Sequence, residues 1–131
     1  MQNHSNIFLA TAKTATGTFV DFDIPAGVKR VTVMFDGVST NGVSEPLMRL
    51  GSSEVVEDMG YKGTTSYAST FGAWTVGVRL IGGATIAAVA QVGALTLSNM
   101  VGSSWVIQGS LGRSDAAQLS DVSGLKPSPL H

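Results

Sequence analysis

Few residues in this chain are of a type and spacing that can do chemistry. The two histidines, His4 and His131, sit near opposite ends. Neither lies in a context that positions a general base, and no nucleophile, histidine and carboxylate form a credible set. Asp21 and Asp23 stand two apart in an alternating segment, so on a strand they share a face. Glycoside hydrolysis needs two carboxylates ~5–9.5 Å apart, which that spacing permits. Half-exposed strands also carry such pairs routinely, and a solvated or subunit-contact pair is the plainer account. Glu54, Glu57 and Asp58 form a second acidic group, without the oxygen-ligand spacing of a calcium loop. The run Asp36-Gly37-Val38-Ser39-Thr40-Asn41-Gly42 superficially suggests a calcium or phosphate loop. It lacks both a closing glutamate and a Gly-Lys-Ser/Thr, and reads as a β-turn. Asn3-His4-Ser5 matches a glycosylation sequon, with no secretion signal beside it. No catalytic residue, metal ligand or cofactor is expected, and the chain is not expected to be an enzyme.

The segment Tyr61 to Gly72 is richer. Tyr61, Tyr67 and Phe71 lie among Thr64, Thr65, Ser66, Ser69 and Thr70, with Trp74 just beyond. Aromatic faces beside hydroxyls hold sugars and other flat, amphipathic ligands, because stacking needs an apolar face and specificity needs donors. Tyr61, Tyr67 and Phe71 are therefore the candidate ligand contacts. The alternative is that Trp74 is core and the tyrosines pack locally.

The elements that must position these residues are strands. Asn6–Ala12 reads as a first strand and Thr18–Ile24 as a second. The second places Thr18, Val20, Phe22 and Ile24 on one side and Phe19, Asp21 and Asp23 on the other. After Pro25-Ala26-Gly27, Val28–Phe35 points Val31, Val33 and Phe35 to a core, with Arg30, Thr32 and Met34 away from it. Leu47–Leu50 and Glu54–Gly60 are short strands, and Tyr61–Gly72 is a loop. Ala73–Ile81 alternates with Trp74, Val76, Val78 and Leu80 on one side. Gly82-Gly83 turns into Ala84–Val92. Ala94–Ser98 and Ser104–Leu111 form a last hairpin, with Trp105 and Ile107 inward. No segment carries a 3.6-residue apolar stripe. The expected fold is all-β, an antiparallel β-sandwich or jelly-roll-like module over residues 1–111. Residues 112–131 are expected to be an irregular C-terminal segment.

Composition narrows the function class. The chain has 131 residues, one domain's worth, and no cysteine, which removes disulfide frameworks and thiol-based metal or redox sites. Only 13% of residues are charged, about half the usual ~25%, and the net charge is −1. That balance offers no basic stripe for nucleic acid. A surface so poor in charge suits a protein covered by copies of itself. Leu80–Leu97 approaches the ~20 apolar residues of a membrane helix, but Gly82-Gly83 and Gly93 interrupt it, and membrane insertion is not expected. No signal peptide is read at the start.

One run resembles a known family. It passes from Thr14-Ala15-Thr16-Gly17-Thr18 through Val20-Asp21-Phe22 to Ile24-Pro25. It continues Val28-Lys29-Arg30-Val31-Thr32-Val33-Met34-Phe35 and Gly37-Val38-Ser39-Thr40-Asn41-Gly42. This is similar to a segment of bacteriophage tail-fibre and related receptor-binding tail proteins. Softer matches follow at Gly51, Gly60-Tyr61, Ser104-Trp105-Val106, Gly109 and Leu111-Gly112. The resemblance implies an all-β fibre module, commonly a homotrimer, in a virion and made in the host cytoplasm. It implies partnership with itself, with other phage structural proteins and with a host cell-surface glycan. It carries over no catalytic or metal-binding residue. Family members continue with further strands, so it also implies either a chain cut short at residue 131 or a sheet completed another way. Two other readings stand beside it: a capsid decoration or head-fibre protein, and a polysaccharide-degrading tail fragment using Asp21 and Asp23.

Overall fold

The computed structural model describes residues 9–25, 27–42, 45–52, 55–67, 70–81, 89–100, 104–115 and 119–127, without the side chains of Thr70 and Phe71. Among the described residues there are eight strands and no helix. They are β1 (Arg30–Val38), β2 (Leu47–Met48), β3 (Lys62–Tyr67), β4 (Thr70–Trp74), β5 (Val78–Arg79), β6 (Gln91–Asn99), β7 (Trp105–Arg113) and β8 (Leu119–Lys126). Six form one sheet in the order β1-β6-β7-β8-β3-β4. Every neighbouring pair in it is antiparallel. β2 and β5 make a separate two-stranded ribbon, pairing Leu47 with Arg79 and Met48 with Val78.

Period-2 geometry gives the large sheet two unlike faces. One rung of the inner face runs Val31, Leu97, Ile107, Gly124, Gly63, Trp74 across all six strands. Leu95, Leu97, Ile107, Leu111 and Val122 are buried on this face, and the cluster they form also takes in Tyr61, Trp74, Val78, Leu80 and Ile81. Each such aliphatic side chain contributes roughly 1.5–3 kcal/mol through burial. Val31, Val33 and Phe35 of β1 pack against the cluster but remain half-buried.

The two glycines in that rung explain how it accommodates an indole. A Cβ at Gly63 would lie 2.1 Å from Trp74 Cζ2, and one at Gly124 would lie 2.4 Å from Trp74 Cη2. The Trp74 ring therefore lies flat over two positions where only glycine leaves room.

The opposite face is open. Its middle rung, Thr32, Thr96, Gln108, Ser123, Thr64, Ala73, carries no charge. Met34, Val92, Val106, Leu119 and Leu125 are exposed on it.

Several expectations need correction. Thr18–Ile24 has the alternation of a strand but pairs with nothing, and Phe19, Val20, Phe22 and Ile24 are exposed. Residues 9–12, the described part of the expected first strand, are likewise unpaired. Ala73–Ile81 is not one strand: bends at Thr75–Gly77 separate β4 from β5 and leave Val76 exposed. Glu54–Gly60 shrinks to a single bridge between Gly51 and Val56. Gly82-Gly83 and Ala84–Ala88 lie outside the described residues.

Tyr61–Gly72 is not a loop, since most of it is β3 and the start of β4. Its small residues make room for Trp74. Within 112–131 the described residues are largely strand rather than irregular. β7 runs to Arg113, and β8 sits in the middle of the sheet between β7 and β3. Gly37, at a left-handed φ of 70°, sits where the β1 register shifts between Asp36 and Val38, so the Asp-Gly pair forms a bulge within the strand. Beyond it, the Thr40 hydroxyl donates to Gly42 O at 2.8 Å.

Candidate receptor-contact site

Tyr61 and Tyr67, the two expected contacts whose side chains are described, differ in what they can reach. Tyr61 is 1% exposed. Its hydroxyl donates to Glu57 O at 2.8 Å and accepts from Leu50 N–H at 2.8 Å. Its ring meets Trp74 edge-on, with centroids 6.5 Å apart. Lys126 Nζ lies 5.4 Å from the ring centroid and pairs with Glu57 Oε1 at 2.8 Å. Lys126 itself is 2% exposed, so a full cation is held inside by one carboxylate, one aromatic face and the Pro127 carbonyl, to which its Nζ donates at 3.2 Å. Burial pushes the Tyr61 hydroxyl above its ordinary value, against the lowering effect of the Leu50 hydrogen bond. Tyr61 is a structural pin between β3 and the Leu50–Glu57 segment, and its assignment as a receptor contact is withdrawn. Position 61 immediately precedes β3, and odd-numbered positions of β3 face the core.

Trp74 is equally committed. Its Nε1–H donates to Thr65 Oγ1 at 3.0 Å, and the Thr65 hydroxyl donates onward to Arg79 O at 2.5 Å. Thr65 is fully buried, which removes it from the expected set of binding hydroxyls. Phe71 pairs with Ser66 in the β3–β4 ladder, but its side chain lies outside the described residues, as does Ser69.

Tyr67 keeps access to solvent. It closes β3 opposite Ser120 and Thr70 and is half-buried. The Arg113 guanidinium stacks over its ring, 5.4 Å from the centroid. Arg113 in turn grips Asp115 with Nε and Nη2, both contacts at 2.9 Å. That fork holds the Asp115 carboxyl below its ordinary value. The turn after β7 is fixed by Ser114, whose N–H donates to Ala90 O and whose Oγ accepts from Ala90 N–H, each at 3.0 Å. A phenol, a guanidinium and a carboxylate thus converge at one end of the sheet. Such a patch can stack on a flat ligand and hydrogen-bond its rim. Arg113 and Asp115 were not legible as site residues, because they fall in the segment read as irregular tail.

The other candidate chemistry disperses. Asp21 and Asp23 are exposed on an unpaired segment. Glu57 is taken by Lys126, and Glu54 lies outside the described residues. His4, His131 and the Asn3-His4-Ser5 sequon also lie outside them. Among the described residues, no three of His, Cys, Asp and Glu converge to hold a metal ion, and no helix is long and apolar enough to cross a membrane. The chain matches no family model, no curated protein and no solved structure.

Proposed function

We propose that this chain is a non-enzymatic structural module of a phage virion, a tail-fibre or tail-tip component that self-associates as a homotrimer and contributes to host attachment. The observation that carries this reading is the open face of the six-stranded sheet. It presents Met34, Val92, Val106 and Leu125 around a rung of neutral side chains. Six strands about 4.8 Å apart and some seven residues long span roughly 700 Å². That is close to the ~800 Å² per partner of a stable protein interface. A face of that size, with exposed apolar side chains around a neutral rung and four charged residues, Arg30, Asp36, Lys62 and Asp121, suits burial against further protein more than exposure to water. The resemblance of residues 14–42 to tail-fibre segments supports the virion setting. In this reading the sandwich expected from sequence is completed between subunits, and Tyr67 with Arg113 remains the candidate glycan contact.

Light scattering tests the assembly. The expected particle has three times the 13.5 kDa chain mass, and Met34→Asp with Val106→Asp should reduce it to one. A particle of one chain at high concentration would remove the reading. Placement is tested by gold-labelled antibody on intact virions, which should mark tail tips; label confined to heads would favour a capsid decoration protein.

A further inference from the structure

β1 is an edge strand, so one side of its backbone meets no other strand of the sheet. A single hydrogen bond shows which groups face that side. Asn99 N–H donates to Lys29 O at 2.7 Å, which turns residue 29 toward β6. In an antiparallel ladder alternate residues do the same, and the register Val31–Leu97 and Val33–Leu95 continues the series. Arg30, Thr32 and Met34 therefore direct their N–H and C=O groups to the open edge.

The chain just before β1 reverses direction. Val28 N–H donates to Pro25 O at 3.3 Å, with Gly27 at a left-handed φ of 86°. Counting outward from the Pro25–Val28 closing pair, the hydrogen-bonded pairs become Asp23–Arg30, Asp21–Thr32 and Phe19–Met34. These are the three β1 residues whose backbone groups are open. The pairs between them are Phe22–Val31, Val20–Val33 and Thr18–Phe35, on the inner face. There the half-buried β1 side chains meet Phe22 and Val20, which are now exposed. On the outer face Asp23 meets Arg30, and Phe19 at 74% exposure meets Met34 at 75%. Backbone parity, apolar pattern and charge agree on one register.

In the structure this segment stands off the edge. A cleft lined by Phe22, Ile24, Arg30, Val31 and Val33 separates the two. Lys13 occupies the atoms that pairing needs: its Nζ donates to Asp21 O and lies 4.9 Å from the Phe22 ring centroid. We propose that the open edge of β1 is a docking site whose occupant is Thr18–Ile24 of the same chain, which closes onto it as a seventh strand in this register. A tether of a few residues gives an effective concentration of about millimolar, which a second copy must exceed to compete. Closure removes the exposed β1 edge as a template for other chains. The inference does not depend on the assembly or virion reading.

The cysteine-free chain makes the test clean. Asp23→Cys with Arg30→Cys places two thiols on a hydrogen-bonded pair, whose ~5.5 Å Cα separation suits a disulfide. At low micromolar concentration the oxidised double variant should be a cross-linked single chain, lighter by two hydrogens. The out-of-register pair Asp21→Cys with Arg30→Cys should link at least about tenfold less, and a mixture of the two single variants Asp23→Cys and Arg30→Cys should not link at all. In the unmodified chain, Thr32 and Met34 amides should exchange at least about tenfold more slowly than those of Val20 and Phe22, which point away from the edge. Equal yields from both pairs, no disulfide in the double variant, or unprotected Thr32 and Met34 amides overturns the proposal. Linking in the mixture without linking in the double variant assigns the edge to a second copy and overturns it equally.

Discussion

Gly63→Ala is the sharpest probe of how this core is built. The added methyl would sit 2.1 Å from Trp74 Cζ2, 2.2 Å from Cη2 and 2.6 Å from Cε2. The indole has no second glycine position to move to, because its ring already covers Gly124, where a Cβ would lie 2.4 Å from Cη2, as well as Gly63. Nor can it rotate freely, since its Nε1–H is bonded to the buried Thr65 hydroxyl. The clash must be relieved by expelling the ring or moving β3. Overpacking of this kind costs ~1–3 kcal/mol, and loss of the Thr65 bond adds about 1 kcal/mol. The expected loss is thus about 3 kcal/mol out of a total stability of roughly 5–15. Thermal unfolding should fall by about 10 °C at this chain length. Urea titration of Gly63→Ala, Trp74→Leu and the double variant checks the mechanism. Once the ring is gone the methyl has nothing to strike, so the double variant should be more stable than the sum of the single losses by about 1–2 kcal/mol. A neutral Gly63→Ala, or losses that simply add, refutes the claim that Trp74 is seated on the glycine pair.

Other consequences follow from the same packing. Glu57→Ala strands the buried Lys126 cation and should cost about 2 kcal/mol by urea titration, below the ~3–5 of a fully buried pair because Glu57 is partly exposed; Lys126→Met in the same background should recover most of that loss. Tyr61→Phe leaves Leu50 N–H and Glu57 O unpaired, an expected loss of ~1–3 kcal/mol. Because burial raises the Tyr61 hydroxyl above 10.0 in the fold, its protonated form is favoured there. That contribution is intact below pH 10.0 and falls as pH rises through the higher folded value, so a melting series above pH 9 should decline less steeply for Tyr61→Phe than for the native chain. Gln91 is 3% exposed, and among the described residues neither end of its amide has a partner, so Gln91→Leu should raise the melting temperature, by about 1 kcal/mol of stability. Tyr67→Ala should weaken attachment to host cells while lowering the melting temperature by only a few degrees; unchanged attachment removes Tyr67 from the site.

Strand type was legible in the sequence wherever alternation was strong and the partner strand supplied a matching face. Val31, Val33 and Phe35 turn inward and Arg30, Thr32 and Met34 outward, as their period dictates. The β6–β7 pairing likewise follows from Leu95, Leu97 and Ile107 alternating on one face. The low charge and the absence of thiols are properties of composition alone. The central place of β8 was not legible, because Ser120, Val122, Gly124 and Lys126 alternate in position but not in hydropathy. Lys126 is core only because Glu57, 69 residues earlier, arrives beside it. The same holds for Tyr61, whose polar-looking neighbourhood hides a hydroxyl satisfied by Leu50 and Glu57, and for Gly63 and Gly124, whose smallness has meaning only once Trp74 lies across them. Thr18–Ile24 shows the converse: a strand pattern that stands unpaired in the structure. Alternation specifies which face a residue would take, but the ladder's hydrogen bonds come from another segment, and pairing between distant segments is decided only when tertiary structure brings their edges together.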